Sequence, residues 1–218
     1  MLWLTRCAQC RRPHKRALCS SCWAQIEPIV QPCPRCSLPL SPGQTCPDCL
    51  RLQRILHHRA YTLYQGPIQG LIYQMKYHHR PQLALALGLY LGEWLQGSQA
   101  DVLVPIPLHA ERLEQRGYNQ AEHLAQGIGQ VLGIPVRQAL TRNRATEALH
   151  NLSIPVRESM LKEAFDVTAV AKQLSGKKVL LVDDIVTTGT TLREAYERLR
   201  PGVQQLGSVS LARTNTFL

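Results

Sequence analysis

From residue 60 onward the apolar positions fall into two kinds of run, and each predicts a different element. Ala60–Tyr64 is a short strand, and the apolar periodicity of Ile68–Tyr77 and Leu83–Leu95 predicts two helices. Asp101–Pro105 is a buried strand. Asn119–Leu132 is a helix with Leu124, Ile128, Val131 and Leu132 on one face. Lys178–Asp183 is a continuous apolar strand of the kind expected where both faces of a parallel sheet are covered. Thr190–Leu199 is a helix stopped by Pro201-Gly202, and Gly207–Ala212 is a last strand. Strands alternating with helices predict a doubly wound, mainly parallel α/β fold, whose ligands sit at the carboxyl ends of the strands. Leu83–Leu95 is interrupted by glycines and Glu93 and is too short to span a bilayer. With no apolar leader ahead of Arg6 and Cys7, the expectation is a cytoplasmic protein without membrane insertion.

The first 55 residues do not share this pattern. All eight cysteines of the 218-residue chain lie there, as the pairs Cys7/Cys10, Cys19/Cys22, Cys33/Cys36 and Cys46/Cys49. Two residues between cysteines let both sulfurs of one tight turn reach a single ion, and two such turns complete a tetrahedron of thiolates. Eight cysteines therefore predict two closed, structural Zn²⁺ sites. A disulfide framework fits poorly in a reducing compartment, and four regular copies without a thioredoxin-like strand argue against a redox motif. Sequential pairing leaves eight and nine residues between pairs, interleaved pairing 22 and 23. The shorter loops cost less entropy and favour the sequential arrangement, a double zinc ribbon in residues 1–55 followed by a larger domain in 56–218.

Charge marks the same boundary. Residues 1–60 hold nine Lys/Arg against Glu27 and Asp48, a net of +7, whereas residues 61–218 carry +3. Two Zn²⁺ on eight thiolates contribute about −4 and temper the first figure. The cluster Arg11, Arg12, His14, Lys15, Arg16 then reads equally as a phosphate-backbone contact or as a solvated loop.

Most of the chemical signal lies in Val179-Leu-Leu-Val-Asp183-Asp184-Ile-Val-Thr187-Thr188-Gly189-Thr190-Thr191. A buried strand delivers two acids to its carboxyl end, and a loop of hydroxyl residues around a glycine then opens a helix. Helix-start amides with threonine hydroxyls make a phosphate cradle, and paired carboxylates beside it suit the vicinal hydroxyls of a ribose. The acids precede the loop, which excludes a Rossmann fingerprint, and no Gly-Lys-Ser/Thr is present for a Walker loop. The segment resembles the 5-phosphoribosyl-1-diphosphate (PRPP) motif of type I phosphoribosyltransferases.

The double CxxC module, Val104-Pro105-Ile106-Pro107, and Arg112 followed by Arg116-Gly117-Tyr118-Asn119-Gln120-Ala121 extend that likeness. Together they resemble the ComF family of competence-associated, phosphoribosyltransferase-like proteins over nearly the whole chain. The resemblance implies a type I phosphoribosyltransferase fold and a role in handling transforming single-stranded DNA, with that DNA and a competence helicase as partners. It implies that Asp183 and Asp184 hold the ribose hydroxyls and that Thr187, Thr188, Gly189, Thr190 and Thr191 hold the 5-phosphate. Arg112 and Arg116 would meet the pyrophosphate, with Mg²⁺ accompanying PRPP, whereas Lys76 reads either as a second diphosphate contact or, more simply, as a snorkelling surface lysine. One stretch departs from the family pattern: Arg144, Thr146 and Leu152 match, but Leu149 stands for a glutamine and Met160 for an asparagine ahead of Ala164-Phe165. His150 reads as a solvated loop histidine.

The implied reaction is displacement of pyrophosphate at C1 of the ribose, with Mg²⁺ and arginines neutralising the leaving group. No Ser/His/Asp or Cys/His set suggests covalent catalysis, and His57/His58 and His78/His79 have no partners at metal spacing. Two other readings stay open: a non-enzymatic DNA-uptake or helicase-partner factor acting through the zinc module, and a regulator that senses PRPP. Single-strand binders add stacking aromatics to a basic groove, and Trp3, Trp23 and Trp94 make that signal weak here.

Overall fold

A computed structural model describes residues 5–47, 49, 57–143 and 164–215. The expected boundary at residues 55 and 56, Trp3, and the departures between Arg144 and Met160 lie outside those residues. The N-terminal module carries β1 (Thr5–Arg6), β2 (Pro13–His14) and α1 (Ser20–Trp23). After it come β3 (His57–Leu63), α2 (Pro67–Tyr77), α3 (Pro81–Trp94), β4 (Val102–Pro105), α4 (Ala110–Arg116) and α5 (Gln120–Leu132). A short pair, β5 (Leu140–Arg142) and β6 (Phe165–Val167), leads through a 3-10 turn at Ala169–Leu174 to β7 (Lys178–Val186), α6 (Thr190–Leu199) and β8 (Gln205–Arg213).

Four strands form the main sheet in the order β3-β8-β7-β4, every neighbouring pair parallel. The unbroken apolar run of β7 follows from this position, since both of its faces are covered. Leu180 and Val182 pack with Leu87, Leu91, Leu124 and Ile128 of α3 and α5. Val179 and Leu181 pack on the other side with Leu192, Ala195 and Leu199 of α6. The helices α3 and α5 meet backbone to backbone. A Cβ on Gly88 would lie 2.3 Å from the Leu124 carbonyl oxygen, and one on Gly127 would lie 2.4 Å from that of Leu85.

Several elements run beyond their sequence pattern. β7 continues past Asp183 to Val186 because β8 keeps pairing with it as far as Arg213. β3 starts at His57, where His57 and His58 pair with Gly207 and Ser208. Helix α4 has no apolar stripe to betray it, its Leu113 being exposed, and the three-residue strands β5 and β6 are too short for any periodicity.

The outer edge of β3 is covered by the N-terminal module. Ile29 N donates to Tyr61 O at 2.8 Å and His58 N to Arg35 O at 2.9 Å, so the segment joining the two cysteine groups and the first turn of the second group satisfy the edge. On the α3 side, Trp23 is stacked between Tyr61 (4.5 Å) and Tyr90 (4.8 Å). Cys7, Leu18, Cys22 and Ile26 join the same core as Leu87 and Leu91. On the opposite side, Ser37 Oγ donates to His58 O (2.9 Å) and accepts from Ala60 N (3.0 Å). Among the described residues no helix is long and apolar enough to cross a membrane.

Candidate functional site

The eight sulfurs resolve into two groups, Cys7/Cys10/Cys19/Cys22 and Cys33/Cys36/Cys46/Cys49, each with all four Sγ atoms within 4.8 Å of one another. Cys10 and Cys19 sulfurs are 3.8 Å apart, as against 3.5 Å for Cys33/Cys49 and for Cys36/Cys46. A tetrahedron built on Zn–S bonds of about 2.3 Å has edges of about 3.8 Å, so both groups fit the ion. A disulfide, at about 2.05 Å, does not describe these separations. The pairing is the sequential one. A divalent ion held by four sulfurs fixes all of them as thiolates.

The second site is built at the carboxyl end of β7. Asp183 and Asp184 stand side by side there. Asp184, buried, pairs with Lys76 of α2, Nζ to Oδ2 at 3.2 Å. Asp183 Oδ1 accepts from the Asp184 amide at 2.8 Å. Burial first, and the like charge of Asp184 second, push the Asp183 carboxyl up to about 7, while that amide, Lys76 and Arg142 pull the other way. Immediately beyond Val186, Thr187 and Thr188 are exposed, and the hydroxyls of Thr188 and Thr190 lie 2.8 Å apart. Gly189 precedes α6 at φ 75°, a left-handed conformation that side chains resist. The first-turn amides of α6 have no intrahelical acceptor, as at any helix start.

A cationic wall faces the acids. Gly117, at φ 71°, ends α4, and Asn119 caps α5 by accepting from Ala121 N at 3.1 Å. The Asn119 Nδ2 group also donates to Ile106 O at 3.0 Å, which ties the helix start to the end of β4. Tyr118 donates its hydroxyl to Met75 O. These contacts fix the Arg116–Ala121 stretch against β4 and α2, with Arg116 at its head. Arg116, buried, donates to Gln120 Oε1 at 3.2 Å and lies 5.6 Å over the Tyr77 ring. Burial holds the Arg112 guanidinium below its ordinary range, as does repulsion from Arg116 and Arg142, against the pull of Tyr77 and Asp184.

Of the residues the sequence singled out, Lys76, Arg112, Arg116, Asp183 and Asp184 therefore share one electrostatic neighbourhood, and Thr187–Thr191 leave it along the chain. Lys76 is engaged with an acid rather than standing as an isolated surface lysine. The sequence reading missed Arg142, which ends β5, lies 5.6 Å over Phe165 and feels the Asp183 charge. Nothing in Leu140–Arg142 marks a functional arginine; only the fold brings it to the acids. His58, one of the paired histidines without a partner at metal spacing, is buried in the larger domain between Ser208 (Nδ1, 2.9 Å) and Ser210 (Nε2, 3.2 Å).

Comparison with known proteins agrees with this architecture. The model of the phosphoribosyl transferase domain family matches residues 98–216, and that of the double zinc ribbon domain matches residues 1–50. The chain is similar to the DNA utilization protein YhgH of Salmonella typhimurium, 34% identical with 95% of this chain and 96% of that protein covered. It is 32% identical to competence protein F of Haemophilus influenzae over the same shares. Competence protein ComFC of Bacillus subtilis is 28% identical, over 82% of this chain and 75% of the relative. A parallel sheet ending in an acid pair, with two four-thiolate groups clamped to its edge, is thus the form taken here by the ComF/YhgH family of type I phosphoribosyltransferase-fold proteins, to which this chain belongs.

Proposed function

We propose that the chain binds PRPP with Mg²⁺ at the carboxyl end of β7 and acts as a phosphoribosyltransferase in the handling of incoming single-stranded DNA in the cytoplasm. The observation that carries this reading is the apposition of opposite fields. Arg112, held down by burial and then by the charges of Arg116 and Arg142, stands with those two guanidinium groups beside two carboxylates at a strand end. Such an arrangement suits a ligand that is polyanionic at one end and polyhydroxylic at the other. Asp183 and Asp184 take the ribose hydroxyls, Thr187–Thr191 the 5-phosphate, and Arg112 and Arg116 the diphosphate, with Lys76 free to exchange Asp184 for a phosphate oxygen. Mg²⁺, when bound, neutralises diphosphate charge, and the acids are the protein groups here suited to orient it. In the reaction the C1–oxygen bond breaks, its electron pair leaves with pyrophosphate, and an acceptor nucleophile bonds to C1. The names of the relatives supply the setting in DNA use and competence.

Calorimetric titration with PRPP and Mg²⁺ tests this directly. Binding is expected for the wild type and a loss of about tenfold or more for Asp183→Asn and Asp184→Asn. The Asp183 carboxyl is raised, so below about 7 it is protonated and poorer at accepting from a ribose hydroxyl. Affinity should therefore climb as pH rises through neutrality, and Asp183→Asn should lose that part of the climb. Absence of PRPP binding at any pH would defeat the reading, and pyrophosphate release on adding candidate acceptor bases would establish turnover.

A further inference from the structure

The zinc module and the hydroxyl loop meet at one side chain. Arg213 closes β8 and is 3% exposed. Its Nη1 donates to the Cys36 carbonyl at 2.6 Å and lies 3.4 Å from Cys36 Sγ, one of the four sulfurs of the second group. Its backbone is in register with Val186, and the following amide, Thr214 N–H, donates to Val186 O at 2.9 Å. Thr187 comes next in the chain. Two residues of β8 and its extension thus join a zinc ligand to the first residue of the loop.

Charge gives this path a direction. Four thiolates around Zn²⁺ carry about −2, and a guanidinium against one of the sulfurs complements that anion. If zinc leaves, nothing draws the four sulfurs together, and the Cys36 carbonyl and sulfur that Arg213 meets are free to move away from it. Arg213 Nε also donates to Thr214 O at 3.1 Å, so a displacement of this side chain passes to the end of β8. That end is half of the pairing that fixes Val186. The first zinc group serves as an internal comparison, because it is docked through Trp23, Tyr61 and Tyr90 on the other side of the sheet.

We propose that Arg213 is a positioning residue that couples the second zinc centre to the Thr187–Thr191 loop, so that zinc held by Cys33, Cys36, Cys46 and Cys49 and a phosphate ligand held by the loop strengthen one another. The identity of the ligand rests on the PRPP reading above; the link between zinc and loop does not. Linkage makes the effect reciprocal: whatever factor zinc contributes to ligand affinity, the ligand returns to zinc affinity.

The test uses the full-length, zinc-loaded chain and two readouts. In hydrogen–deuterium exchange, Arg213→Gln should speed exchange of the peptides over residues 183–191 and 210–215 about tenfold at unchanged zinc content, with Arg213→Lys in between. In release of zinc to a chromogenic chelator, PRPP with Mg²⁺ should slow one of the two ions about tenfold in the wild type and neither in Arg213→Gln. Unchanged exchange over 183–191 in a zinc-replete Arg213→Gln protein overturns the proposal. So does a wild type that binds PRPP by calorimetry yet releases both ions at its unliganded rates. A wild type that binds no PRPP defeats the ligand reading alone, and the exchange readout still decides the link. If Arg213→Gln does not retain zinc, Arg213→Lys and the chelator experiment on the wild type carry the decision.

Discussion

The two zinc centres flank the same edge strand, yet opposite chemistry docks them. The first is attached by apolar area: Trp23 lies between Tyr61 and Tyr90, Trp94 meets Tyr61 edge-on at 5.4 Å, and Leu18 and Ile26 are buried beneath. The second is attached by a polar seam of Ser37, His58, Ser208, Ser210 and Arg213, each of them nearly inaccessible to solvent. Apolar contact is strong and tolerant of small shifts, because it has no direction. A buried hydrogen bond is weak in net terms but exact about geometry, and leaving one unmade is costly. The first centre is therefore placed to hold the module on, and the second to report its position to the sheet.

Removing zinc should have the largest effect. Among the described residues the module's elements are two to four residues long, and pieces that short cannot stand without a metal cross-link. Structural zinc in isolated fingers contributes about 10–16 kcal/mol of apparent binding energy, so chelation at neutral pH should unfold both centres together. The fluorescence of Trp23 should shift as its stack is lost, and the thermal midpoint of the larger domain should fall. A domain whose midpoint is indifferent to chelation would show that the clamp on β3 contributes little.

Next in size is Trp23→Ala, which deletes the central ring of the stack. A loss of about 3 kcal/mol is expected in denaturant unfolding with zinc content held at two. Removing a single bond of the seam by Ser37→Ala should cost about 1 kcal/mol. Equal losses would erase the distinction between the centres.

How far the sequence carried this picture depends on what kind of signal each residue leaves. The sheet was legible because β4 and the Val179–Val182 stretch of β7 are covered on both faces and so are apolar. The cysteine groups were legible because metal geometry imposes a spacing. The acid pair and its threonine loop were legible for a similar reason, since strand, acids, loop and helix are contiguous. What was hidden is non-local. Arg142 reaches Asp183 from a three-residue strand, and Arg213 reaches Cys36 across 177 positions. His58 gave no local hint that two serines of β8 would enclose it. Helix α4 escaped because an exposed helix needs no stripe.

His58 sharpens the comparison through pH. Burial, and then the Arg213 charge, lower its imidazole to about 3 from an ordinary 6.5, so it is neutral in the folded protein. The unfolded chain binds the additional proton between these values. Stability from this group is thus complete above about 6.5 and is lost as pH falls toward 3. Below pH 6.5 the wild type should lose stability more steeply than His58→Gln, by up to about 1.4 kcal/mol per pH unit. Zinc loss in acid affects both proteins, which is why the difference between them is the quantity to measure. Identical slopes would mean that the seam is hydrated and does not hold His58 neutral.

The smallest effect belongs to Arg16, and it tests whether charge adds anything to the apolar dock. Sequence alone allowed the Arg11–Arg16 cluster to be a phosphate contact, but Arg16 is turned inward. Its Nη1 meets Glu93 Oε1 at 2.9 Å, and its guanidinium lies 4.9 Å over the Tyr90 ring that also stacks on Trp23. Both ends of the ion pair are substantially solvated, with side chains 36% and 44% exposed, so screening limits its value. A double-mutant cycle of Arg16→Gln and Glu93→Gln should give a coupling of about 0.5 kcal/mol that shrinks further with added salt. The cation–π contact adds a similar amount, which would survive in Glu93→Gln and vanish in Arg16→Gln. A salt-insensitive coupling above about 2 kcal/mol would move the first centre into the same class as the second, docked by directed polar contacts rather than by area.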